Sequence, residues 1–106
     1  MIKAELFSGK DGRLVGFRVS GHSGTAARGE DIVCAGVSAL VQSAALGIME
    51  HLRRSVDCED GDGKLSLRLR EAPDELTEAV MKTMLLGLRE IEKRYPKALR
   101  ITGNER

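Results

Sequence analysis

The sequence predicts an α+β domain in the order ββαββα with a short terminal strand, its mixed or antiparallel sheet packed with two helices. Three observations lead there. Two pairs of short segments alternate apolar and polar residues around turns rich in glycine and aspartate, the pattern of half-buried hairpins. Each pair is followed by a longer stretch with the character of a helix. The 106 residues suit one domain, residues 1–106, in which two helices need a sheet to cover their apolar faces.

The opening "MIKAELFS" sets Ile2, Ala4 and Leu6 against Lys3 and Glu5. After a turn at "GKDGR", "LVGFRVSG" supplies the second strand of a hairpin. A glycine-rich loop from Gly21 to Glu30 follows. Asp31 is placed as N-cap of the first helix, where its carboxylate would accept from the unpaired N–H groups of the next turn, and the helix is expected to run to about Arg54. Its surface is apolar or small nearly all round, which implies burial on more than one side. Gly36, Ala39, Ser43 and Gly47 line a strip that would admit another backbone. Gly87 is the matching position in the second helix, or the strip meets a second subunit. "SVDCEDGDGKLSLRLRE" reads as the second hairpin, turning at Gly61 to Gly63 and returning through Leu65, Leu67 and Leu69. Pro73 suits the first turn of the second helix, with Asp74 and Glu75 at its positive end. There Leu76, Val80, Met84, Leu88 and Ile91 are expected to form one apolar stripe. Tyr95 and Pro96 end it, and "ALRIT" is the terminal strand.

Composition excludes several classes of function. Seventeen basic and 16 acidic side chains nearly cancel, so a charged partner needs a local patch, and no direct nucleic-acid binding is expected. The start lacks the charged end and continuous apolar run of a secretory signal, which points to a cytoplasmic protein with both cysteines as thiols. The uncharged run from Ile32 to Met49 reaches the lower edge of membrane-span length, ~17–25 residues. It also carries Ser38, Gln42 and Ser43, and without it the chain has no core, so it reads as a buried helix and no membrane partner is expected. No metal or other cofactor is expected: "DCEDGDG" resembles a calcium loop only superficially, since Arg68 stands where the closing glutamate is required. Met49, Met81 and Met84 read as core filler. Lys93, Arg94, Lys97 and Arg100 read as a solvated helix end.

The chemistry centres on "GHSGTAARGEDIVCAG". A nucleophilic thiol must be a thiolate. Cys34 is expected in the first turn of the first helix, whose positive end favours an anion, whereas Cys58 lies among Asp57, Glu59, Asp60 and Asp62. His51 shares the helix with Cys34 but stands roughly 25 Å along it at about 1.5 Å per residue. His22, on a glycine-containing loop, is the histidine able to fold back onto Cys34 as a thiol/imidazole pair requires. The plainer alternative stays open at this point: buried helical cysteines usually fill space, loop histidines are usually solvated, and "GHSGTAARG" could cradle a phosphate. No P-loop lysine follows it, and one tyrosine and two phenylalanines make a poor stacking platform.

"VSGHSGTAARGEDIVCAGVSAL" resembles the signature of the ribosomal-processing cysteine protease family, Prp. The likeness rests on Gly21, His22, Ala26, Gly29, Asp31 and Cys34 in one ungapped block, and the order of elements fits the whole chain. The resemblance implies a bacterial cytoplasmic endopeptidase that removes the N-terminal extension of a large-subunit ribosomal protein. It implies His22 and Cys34 as catalytic dyad, a homodimer, and an aromatic pair before the scissile bond. It also implies a mobile loop over the site, with Gly21, Ser23, Gly24, Ala26 and Gly29 as its substrate-facing positions. Asp31 would support the dyad by orienting His22 or by capping the helix. Backbone N–H groups at the start of that helix would form the oxyanion hole. The rival is a non-catalytic ribosome-associated or RNA-binding module using the glycine loop and basic tail, indifferent to Cys34.

Overall fold

The computed structural model describes residues 1–21 and 28–104. Five strands form one mixed sheet: β1 (Ile2–Ser8), β2 (Leu14–Ser20), β3 (Val56–Gly61), β4 (Lys64–Leu69) and β5 (Leu99–Asn104), in spatial order β3-β4-β2-β1-β5. β1 pairs antiparallel with β2 and parallel with β5, so the terminal strand expected at "ALRIT" exists and makes the sheet mixed. Among the described residues two α-helices, α1 (Arg28–Leu46) and α2 (Glu75–Arg94), accompany the sheet.

The alternation in the strands sets which face the helices cover. Ile2, Ala4 and Leu6 of β1, Leu14, Phe17 and Val19 of β2 and Leu65, Leu67 and Leu69 of β4 are buried. They meet Val33, Val37, Val41, Ala44, Ala45 and Ile48 from the α1 segment and Met81, Met84, Leu85 and Leu88 from α2 in one core. On the other face Gly16 stands between Phe7 and Arg68 across three strands. The Arg68 guanidinium lies 5.2 Å from the centre of the Phe7 ring. Only glycine fits at position 16, because a Cβ there would lie 2.5 Å from the Leu67 carbonyl oxygen.

Turn chemistry explains both hairpins. Gly12 takes φ +85° in the first turn, where the Asp11 carboxylate accepts from the Arg13 N–H. Asp62 and Gly63 both have positive φ, the two-residue turn whose twist matches that of antiparallel strands. The aspartates of "DCEDGDG" therefore lie on a strand and its turn, not in a cation loop.

Several boundaries differ from the expectation. α1 begins at Arg28, so Asp31 lies within the helix instead of capping it, and Gly29 belongs to its first turn instead of to a loop. The helix passes into a single π-helical turn, Gly47–His51, and stops short of Arg54, because Arg53 takes φ +56°. α2 starts two residues later than Pro73 suggested: Asp74 is the N-cap, and Pro73 precedes it. Asp74 Oδ1 accepts from the N–H groups of Leu76 and Thr77, and Thr77 Oγ1 accepts from the Asp74 N–H, a reciprocal cap. That cap sets the rotation of the helix, so Thr77 faces the core while Leu76 is 55% exposed and lies outside the apolar stripe.

The helices touch through unequal partners. A Cβ at Gly87 would lie 2.9 Å from Leu40 Cδ1, and one at Gly36 3.3 Å from Ile91 Cδ1. Each glycine thus receives a branched side chain, while Ala39 and Ser43 of the expected strip are exposed. α2 is tied to the sheet at both ends, where Glu78 accepts from the Leu14 N–H at 2.8 Å and Glu92 from the Ile101 N–H at 2.9 Å.

Candidate active site

Along α1 the buried valines at 33, 37 and 41 recur at the spacing of one helix face and hold that face on the sheet. Cys34 is next to this stripe and half-buried, in packing contact with the core. It opens onto a cavity of about 370 Å³. Ile2, Val19, Val37, Val41 and Leu65 form the apolar floor, Ser38 and Gln42 continue the α1 wall beyond Cys34, and the β3–β4 turn from Asp60 to Lys64 closes the far side.

Gly21 forms one end of this cavity. Its φ of +87° is in the left-handed region, and a Cβ would lie 2.6 Å from the Met1 carbonyl oxygen. Its N–H donates to the Gly63 carbonyl at 3.1 Å, joining the end of β2 to the turn that walls the cavity. The sequence block marked Gly21, and the structure supplies the reason.

Of the other expected site residues, His22, Ser23, Gly24 and Ala26 lie outside the described residues, as does most of the loop expected to cover the site. Cys34 is the seventh residue of α1, not part of its first turn. Because the field of a helix end falls off within the first turn, the helix dipole loses most of its force as the reason for a thiolate at Cys34. The oxyanion-hole expectation moves with it, since the first-turn N–H groups belong to residues well before the cysteine. The argument against Cys58 stands: it is exposed on edge strand β3, and desolvation, followed by the negative charge of Asp60, pushes its thiol up. His51 ends the π-helical turn at the far end of the same helical segment, away from the cavity. The two cysteines form no disulfide. Among the described residues no three His, Cys, Asp or Glu side chains gather as a metal site would require.

Ser38 and Gln42 were missed in the sequence. They follow Cys34 at successive intervals of four, the spacing that stacks side chains along one helix face. In a helix rich in small residues that spacing did not stand out from packing.

Comparison with known proteins shows what the chain as a whole is similar to. The family model described as cysteine protease Prp matches residues 1–100. A ribosomal processing cysteine protease Prp of Bacillus subtilis (strain 168) is 29% identical over 110 residues, covering 98% of both chains. Its namesake in Staphylococcus aureus (strain Mu50 / ATCC 700699) is 27% identical over 104 residues, covering 95% of this chain and 97% of that protein. A crystal structure of the essential ribosomal processing protease Prp from S. aureus, in complex with a covalently linked product peptide, superposes with a TM-score of 0.87. The match has 25% identity and covers 98% of this chain and 100% of that one.

Proposed function

Because the chain belongs to the Prp family of cysteine proteases, we propose that it removes the N-terminal extension of a large-subunit ribosomal protein, using Cys34 as nucleophile and His22 as its acid and base. The observation that carries this reading is the position of Cys34: a half-buried thiol at the wall of a cavity with an apolar floor, large enough for a side chain of an extended peptide.

The thiolate of Cys34 attacks the scissile carbonyl carbon, and the carbonyl π electrons move onto oxygen. Collapse of that intermediate breaks the C–N bond, and the imidazolium of His22 gives its proton to the leaving amine. The neutral imidazole then takes a proton from water, whose oxygen displaces the thiolate from the acyl group. The products are two peptides, and the enzyme returns to its starting state. The apolar floor of Ile2, Val19, Val41 and Leu65 suits the aromatic residues that the family resemblance implies before the scissile bond.

The same reading places the enzyme in the cytoplasm, where the thiol stays reduced, and makes it a homodimer. Supporting the dimer, the helix layer carries exposed apolar side chains on the side away from the sheet, with Ile32 62%, Leu46 55% and Leu86 61% exposed. Beside them an apolar groove runs between α1 and α2, lined by Leu40, Gly47, Ala79 and Val80. The run from Ile32 to His51 also has the length and apolarity of a membrane span, and its stripe of valines and alanines is packed in the core.

The test is cleavage of a ribosomal protein bearing its extension, followed by mass spectrometry. Wild type and Cys58→Ser are expected to release one N-terminal fragment. Cys34→Ala and His22→Ala are expected to reduce the rate at least 100-fold. An active Cys34→Ala protein, or loss of activity in Cys58→Ser alone, would reassign the nucleophile.

A further inference from the structure

The wall that continues from Cys34 carries a contact that the cleavage reaction leaves unused. Gln42 Nε2 donates to Ser38 Oγ at 2.8 Å, and both residues line the cavity that holds Cys34. A serine hydroxyl has one proton to give and oxygen lone pairs that accept. With Gln42 feeding the oxygen, the hydroxyl is polarised as a donor. Both side chains are at the surface, where an isolated side-chain pair between two helix residues stabilises the fold little. Their place in the cavity wall suggests that the pair acts on what occupies the cavity.

We infer that Gln42 is a positioning residue for peptide binding: it holds Ser38 so that the Ser38 hydroxyl donates to a backbone carbonyl of the bound chain. The scale of the helix indicates which carbonyl. One turn separates Cys34 from Ser38, about 6 Å along the axis. An extended peptide advances about 3.3 Å per residue. A chain lying along this wall with its scissile carbonyl at Cys34 therefore presents to Ser38 the carbonyl about two residues away. The valines at 37 and 41 flank the polar row and take side chains, so one helix reads backbone and side chain on adjacent rows. Recognition of a backbone carbonyl is independent of sequence. It adds affinity for any extended segment and leaves selection to the apolar floor.

This inference rests on the protease reading, and the experiment separates the two. Affinity is measured by fluorescence anisotropy in the Cys34→Ala background, which cannot turn over. The probe is a labelled synthetic peptide spanning the extension of a large-subunit ribosomal protein and its cleavage site. Gln42→Ala is expected to weaken binding three- to tenfold, the scale of one neutral hydrogen bond. Gln42→Glu keeps the shape but presents an acceptor at neutral pH, so it takes the serine proton and is expected to lose at least as much. A residue that only fills space would lose nothing on that change. Because Gln42 acts through Ser38, Ser38→Ala and the Ser38→Ala, Gln42→Ala double variant are expected to bind equally. Affinity within twofold of the parent for Gln42→Glu, or additive losses in the double variant, would overturn the role of Gln42 and leave the protease reading standing. A wild-type enzyme that fails to cleave the same peptide would overturn both.

Discussion

Gly21 meets two demands with one missing side chain: a left-handed φ of +87°, and passage past the Met1 carbonyl oxygen at a distance no Cβ tolerates. Gly21→Ala should therefore cost roughly 1–3 kcal/mol, from backbone strain and displacement of the β1 start, which a urea titration of the purified variant would measure. Cleavage should fall further than stability explains, since Gly21 also shapes the end of the cavity. A variant as stable as wild type would show that the β1 start yields freely. At this scale the case against Cys58 was legible, because its acidic neighbours are adjacent in sequence and act at short range. The electrostatic case for Cys34 was not, since it depended on a helix start placed at Asp31 that falls at Arg28. Ser38 and Gln42 escaped notice because their meaning comes from the turn of β3 and β4 across the cavity, a neighbour that α1 does not announce.

Among the elements, α2 shows how a few polar atoms set the position of many apolar ones. Hydrogen bonding from the Thr77 N–H, foremost among several causes, holds the Asp74 carboxyl below its ordinary value, against a smaller desolvation effect; Arg54 and the Leu76 N–H add to the lowering. Arg54 reaches the other carboxylate oxygen at 2.8 Å. A carboxyl depressed in the folded state adds stability in full above its unfolded value of about 4, and this is lost as pH falls through the lower folded value. Asp74→Asn should therefore reduce the melting temperature at pH 7 and narrow its gap from wild type in thermal melts taken below pH 4. An equal deficit at both pH values would assign the effect to something other than ionisation. The strands were legible because a period of two and an Asp–Gly turn are local features. Which face α2 buries was not, because Leu76 and Thr77 compete for the core and the cap decides between them. The parallel seating of β5 against β1 is a long-range choice, made by the span of α2 between the glutamates that anchor it to Leu14 and Ile101.

For the whole molecule, the helix layer carries several exposed apolar side chains among its charged ones. If the proposed dimer forms through it, the Leu46→Glu, Leu86→Glu double variant should sediment as a monomer where wild type sediments as a dimer. Both side chains are more than half exposed, so the fold should survive, with its circular dichroism unchanged. A dimer that withstands both charges would be built on another face. The sheet, by contrast, ends in two strands that share no such invitation. On β5 the Ile101 N–H is already held by Glu92. On β3 every residue after Val56 is exposed, and Glu59 and Asp60 stand beside Cys58. Two copies approaching along that edge would bring carboxylates against carboxylates, and like charges facing across strands oppose pairing. Crowded together, molecules of this protein are thus discouraged from stacking edge to edge into fibres.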